Sequence, residues 1–152
     1  MRYEWHTDSA EFQSILEDLL FDACEASGHN LNPEDIIGKI TSREAAKAKR
    51  IAIGAARKLI RIRFNEHHQP KELHWNYGST IPNTHEIGCP MLATLFQCST
   101  SSVHYHLLSV DKPIVRERVA KTIDKMRWRY PDNIVVEIER NKKPEPQLVE
   151  NS

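Results

Sequence analysis

The chain has 152 residues, with 21 basic and 21 acidic side chains, 39% hydrophobic residues and 28% charged ones. That is enough chain for one domain with a real core, and no apolar run is long enough to span a bilayer. Three cysteines, an odd number, do not suggest a disulfide framework.

The start, Met1-Arg2-Tyr3-Glu4-Trp5-His6, has no hydrophobic region after its basic residue, so no signal peptide is expected. The expected location is cytoplasmic, associated with the nucleoid, and no membrane partner is expected. The zero net charge hides a division. Residues 1–38 hold nine acidic residues and one basic one, whereas residues 39–63 hold nine basic residues and one acidic one. So sharp an asymmetry is the footprint of a polyanion binder with an acidic flank. The basic run has almost no interleaved acids to form pairs along a helix.

In chain order, residues 1–8 read as a short arm. Ser9 can cap a helix over 9–27, with Gly28 as its stop. Phe12, Ile15, Leu16, Leu19, Leu20 and Ala23 fall on one stripe, opposite Glu17, Asp18, Asp22 and Glu25. The stripe reads most simply as core, with a homo-oligomer seam or a protein-partner surface as the alternative. Asn32 and Pro33 open a short helix to about Lys39 that buries Ile36 and Ile37.

Thr41 and Ser42 offer a cap for the longest helix, 43–63, rich in Ala, Lys and Arg. Ala48, Ile51, Ala52, Ala55, Leu59 and Ile60 form its buried side. Lys47, Lys49, Arg50, Arg57 and Arg61 lie on its remaining faces, within reach of phosphates. Residues 64–88 are irregular, with prolines, glycines and asparagines that argue for a loop. A loop this long is usually functional or mobile. His67, His68, His74 and His85 are dense there, with Cys89 nearby. No CxxC or HxxxH pair stands among them, so scattered loop histidines are favoured over a zinc site, and no metal or cofactor is expected.

Residues 89–108 read as a helix-turn-helix. Leu92, Leu95 and Phe96 are apolar at helical spacing, and Ala93 is small where two helices cross. Gln97-Cys98 make the turn and Ser99 is a good N-cap for a second helix from Thr100 to Leu108. Val103 and Leu107 face inward. The first turn of that helix is nearly all hydroxyl (Ser99, Thr100, Ser101, Ser102), which suits phosphate contact and base edges in a major groove. The plainer reading is a set of turn and cap residues in a helical domain.

Asp111 is the expected cap and Pro113 the start of another helix to about Tyr130. Its inner stripe is Val115, Val119, Thr122, Ile123, Met126 and Tyr130. Arg116, Arg118, Lys121, Lys125, Arg127 and Arg129 give a second basic surface. Residues 133–139 are β-branched and read as a short strand or an extended arm, and the segment from Arg140 reads as a disordered tail.

Residues about 33–108 resemble the C-terminal DNA-binding domain of the bacterial replication initiator DnaA. Pro33 to Lys39 is similar to the family's short first helix. Ser42 to Leu59 is similar to its basic loop and helix, the pattern "R…A+…RQ.A…A+.L". Ser101-Ser102-Val103-His104-Tyr105 sits where the family has its "DHTTV.H" recognition signature. The resemblance implies an all-α, Trp-repressor-like fold and sequence-specific binding to double-stranded DNA. It assigns Arg50 to the backbone or minor groove, and Thr100, Ser101 and Ser102 to base reading. Tyr105 stands at the family's histidine after the signature. Cys98-Ser99-Thr100 replaces the family's Arg-Asp-His, so the family's own target sequence is not implied.

The expected architecture is therefore an all-α helix-turn-helix bundle of about five to six helices over 1–130, followed by an extended or disordered tail over 131–152. The expected function is double-stranded DNA binding, acting in replication or transcription control. The expected contacts are Lys47, Lys49, Arg50, Arg57, Ser99, Thr100, Ser101, Ser102, His104 and Tyr105, with His106, Arg116 and Arg118 as further candidates. The alternative is an oligomeric helix-turn-helix assembly protein, such as a phage small-terminase-like DNA-packaging recogniser. No P-loop, nucleophile motif or paired carboxylates appear, so the chain does not read as an enzyme or as a complete initiator.

Overall fold

Helix α2, Arg43–Leu59, is the element on which the others pack. Ser42 caps it, its Oγ accepting from the Ala45 amide at 3.0 Å. From Ile51 to Ala56 every residue is buried, so the helix is enclosed on all sides there. Small side chains make this possible: Ala52, Gly54, Ala55 and Ala56 let neighbouring backbones approach. Gly54 is the tightest point. A Cβ built there lies 3.0 Å from Val119 Cγ2 and 3.3 Å from Val110 Cγ2.

The computed structural model describes residues 2–5, 10–40, 42–64, 84–131 and 134–141. Strand β1 is Arg2–Trp5 and helix α1 is Ala10–Ser27. A 3-10 turn at Pro33–Ile36 precedes α2. Strands β2, Ile60–Phe64, and β3, Thr84–Glu86, follow. Helices α3, Cys89–Phe96, α4, Thr100–Leu107, and α5, Pro113–Arg129, lead to strand β4, Ile134–Asn141. The chain is thus mostly helical, as expected, but not purely so: a four-stranded sheet in the order β1-β4-β2-β3 is added.

The stripe on α1 enters the core through Phe12, Leu16, Leu19, Leu20 and Ala23. Val119, Thr122 and Met126 do the same from α5. Both helices pack on α2 and on each other. Val103 of α4 and Met91, Leu92, Leu95 and Phe96 of α3 complete the core.

The sheet corrects several expectations. The long basic helix does not run to Arg63; it ends at Leu59, and Ile60 begins β2. The Ile60-Arg61-Ile62-Arg63 alternation has the period of a strand, and Ile60 and Ile62 are buried. Parallel pairing places Ile60 beside Ile134 and Ile62 beside Val136, which are buried as well. Arg61 faces the other way and donates to Thr84, at 3.3 Å to its Oγ1 and 3.2 Å to its carbonyl. Residues 2–5 of the expected arm are a strand, and the strand reading of 133–139 holds as β4, which runs on to Asn141 and pairs antiparallel from Arg2↔Asn141 to Trp5↔Ile138.

The expected helix over 33–39 is a single 3-10 turn, in which the Asp35 carboxylate accepts the Asn32 amide at 2.8 Å. Lys112, not Asp111, is the N-cap of α5, and it makes no side-chain cap bond. Ser9, Thr41, residues 65–83 with His67, His68, His74, Trp75 and Tyr77, and residues 142–152 lie outside the described residues.

Candidate nucleic-acid interface

Helix α3 ends where Gln97 adopts a left-handed conformation, φ 55° and ψ 50°. The Cys98 amide returns to the Ala93 carbonyl at 2.9 Å and the Gln97 amide to Thr94 at 3.3 Å. This is the six-to-one and five-to-two bonding of a Schellman stop, with Gln where Gly is usual. Ser99 then starts α4, its Oγ accepting from the Ser102 amide at 3.1 Å. A turn of Gln97, Cys98 and Ser99 therefore joins two short helices that pack together. The expected turn and cap stand where the sequence put them.

Helix α4 sorts its residues cleanly. Val103 and His106 are buried, and Leu107 is half-buried. Ser99, Thr100, Ser101, His104 and Tyr105 are exposed, Ser102 partly so. Thr100, Ser101, His104, Tyr105 and the exposed Leu108 thus form the outward side of the helix. His104 Nδ1 lies 3.9 Å from Cys89 Sγ, at the start of α3. The Arg50 guanidinium lies 5.7 Å from the centre of the Tyr105 ring, a cation–π arrangement joining α2 to α4.

The candidate cations fare differently. Lys47 and Arg57 are exposed; the Arg57 Nε is 3.9 Å from Glu86, a loose surface pair. Lys49 is the correction. It is 1% exposed, and its Nζ donates to the Gly38 carbonyl at 3.1 Å. It therefore does not stand on the outer face as a phosphate contact. His106 is likewise inside, 4% exposed, and does not present its ring to base edges. Burial first, then the charges of Arg50 and Lys49, push its pKa down to about 4.

The second basic surface is partly claimed by α1. Arg129 holds the buried Asp22 carboxylate at 2.6 and 2.7 Å, Lys125 pairs with Glu25, and Arg118 donates to the Ser27 carbonyl at 2.8 Å. The Tyr130 hydroxyl donates to Asp18, and this bond raises its pKa. So the acidic side of α1 answers α5. Arg116 is exposed and donates to the Asp111 carbonyl at 2.9 Å.

Sequence reasoning missed a cleft. It has a volume of about 500 Å³ and lies between the Gly38–Ile40 segment, Ala46 and Lys49 of α2, the Gln97–Ser99 turn, and Ser102, Tyr105 and His106 of α4. Only the nearness in sequence of Lys49 to Arg50, and of Tyr105 to His106, hinted at it.

Among the described residues no cluster of three His, Cys, Asp or Glu can hold a metal, and no helix is long and apolar enough to cross a membrane. Set against family models, curated proteins and solved structures, the chain matches none.

Proposed function

We propose that the protein binds double-stranded DNA, with α3 and α4 acting as a helix-turn-helix and α4 entering the major groove. The observation that carries this reading is the outward side of α4. It presents hydroxyls at Thr100 and Ser101, with Arg50 on Tyr105 joining it to the basic helix α2. Hydroxyls and His104 are fit to read base edges, and Tyr105 and Leu108 offer apolar contact to a thymine methyl. Lys47, Arg50 and the exposed Arg43 supply phosphate contacts beside them. The resemblance to the initiator's DNA-binding domain points the same way, and replication or transcription control is the role it implies.

The test is duplex binding by fluorescence anisotropy across a salt series. With three to four phosphate contacts, log K should fall against log salt with a slope of about −3. A flat response overturns the proposal. The Arg50→Ala variant should weaken all duplexes alike, whereas Ser101→Ala and Ser102→Ala should shift preference among sequences selected from a random pool.

A second reading, the oligomeric assembly protein, draws support from large apolar side chains left exposed at Leu108, Ile114 and Trp128, the last 87% exposed. The stripe of α1 lies in the core, which leaves Phe21 as the large exposed apolar residue of that helix. A ring-sized mass by light scattering favours this reading; a monomer or dimer favours the first.

A further inference from the structure

We infer that the cleft between α2 and α4 is a binding pocket for a phosphate-class oxyanion, with Lys49 and His106 as its ligands.

The argument starts from an imbalance of charge. Lys49 carries an ammonium at 1% exposure, and among the described residues its only hydrogen-bond partner is the neutral Gly38 carbonyl. Buried charges in proteins are normally paired, because removing an unpaired ion from water is costly. None of the residues lining this cleft is acidic. Lys39 lines it too, and adds charge of the same sign.

Two further nitrogens lack partners among the described residues. His106 lines the cleft at 4% exposure, and its Nδ1 is buried without a hydrogen bond. The Nε of Arg50 is buried without one as well, and its guanidinium sits over Tyr105, part of the cleft wall. Native proteins satisfy nearly all such groups. One oxyanion with several acceptor lone pairs supplies what Lys49 and His106 lack together, and neutralises the positive field. Ser99 and Ser102 place hydroxyl-bearing residues on the same wall.

The charges that act on His106 are those of Arg50 and Lys49 of α2, and Lys39, Tyr105 and Cys98 line the same cleft. In the absence of an anion, burial first and then the charges of Arg50 and Lys49 keep the ring neutral near pH 7. A bound oxyanion reverses that balance, so His106 should take up a proton as the anion enters. The ligand is either a free phosphate group or a phosphate of the DNA backbone. The pocket does not rest on the DNA reading, because inorganic phosphate is its own probe.

The experiment titrates inorganic phosphate into the full chain at constant ionic strength, with chloride as control, followed by calorimetry and by the imidazole resonances of His106. Saturable binding is expected, with a rise in the His106 pKa. Lys49→Met keeps the side chain's length without its charge, and His106→Gln keeps a polar group; each should bind phosphate at least about tenfold more weakly. Melting curves check that each variant folds. In a second arm, phosphate is added to the protein–duplex complex. Displacement of the duplex, with weaker duplex binding by Lys49→Met, assigns the pocket to a backbone phosphate. Unchanged duplex affinity assigns it to a free phosphate group. Absence of saturable phosphate binding, or equal binding by folded Lys49→Met, overturns the proposal. A flat salt response with DNA would end the DNA reading and leave the pocket standing.

Discussion

Asp22 and Arg129 join the two helices that flank α2, and the pair predicts its own cost of removal. The Asp22 side chain is 1% exposed and accepts two short hydrogen bonds from one guanidinium nitrogen. Arg129→Ala leaves that carboxylate buried beside a gap. Breaking a buried pair in this way costs about 3–5 kcal/mol. The lower end applies, since Arg129 itself is 36% exposed and water can enter where it stood. A loss of about 3 kcal/mol is expected, which for a domain of this size lowers Tm by roughly 6–12 °C. Asp22→Asn keeps the shape and one acceptor, and should cost about 1–2 kcal/mol. Replacing both residues together, Asp22→Leu with Arg129→Met, should cost less than Arg129→Ala alone, because no charge is stranded. Lys125→Ala is the control: its pair with Glu25 is half exposed and worth under about 1 kcal/mol. Urea unfolding followed by circular dichroism, at low and high salt, measures all four. A loss below about 1 kcal/mol for Arg129→Ala, or a double variant weaker than the single one, refutes the reasoning.

Three other outcomes are expected. Gly54→Leu should destabilise by about 2 kcal/mol or more in the same unfolding assay, since even a Cβ there already presses on Val119 and Val110. His106 titrates near 4 when folded, below its ordinary 6.5, so the unfolded chain binds the proton first. Its contribution is intact above pH 6.5 and falls as pH drops toward 4, by at most about 3 kcal/mol; His106→Leu should flatten stability against pH across that window. Cys24 is buried and its thiol is pushed up to about 11 by burial and then by Asp35, whereas Cys89 and Cys98 are partly open. Alkylation of the folded protein at pH 8, read by mass, should therefore label two thiols and leave Cys24 until unfolding.

How much of this was legible depended on how local the cause was. The stripes of α1 and α5, the caps at Ser42 and Ser99, and the Gln97-Cys98 turn are each written within a few neighbouring residues, and each was readable. One strand, β4, showed in the β-branched run 133–139, but the sheet as a whole did not, because β1, β2 and β3 are short and their partners lie far along the chain. Ile60 to Arg63 carries a strand's alternation, yet it follows a strong helix former without Gly or Pro to mark the boundary. Lys49 shows the same limit at the site. A helical wheel sets it on the face of Ala45, Ala52, Ile53 and Ala56, all buried, but its charge reads as solvent-facing, and how much of α2 is enclosed depends on how many elements pack on it, which no local pattern counts. His106 turned inward for the same reason. That left both residues in the list of surface candidates, and hid the cleft they share.

The strand order also sets a schedule for the chain as it is made. β1 comes from residues 2–5, yet among the described residues its partner in the sheet is β4, at 134–141. β4 also fills the side of β2 opposite β3. The helices from α1 through α4 can associate as they leave the ribosome, but the sheet closes only once the chain has emerged past residue 141. Contacts of such long separation form slowly. Until then β2 presents an open hydrogen-bonding edge to whatever other chain is near. A product truncated at residue 131 would keep that edge permanently, with its helices still in place. Its tendency to pair with its own kind would then come from the missing β4 and not from any defect in the helical core.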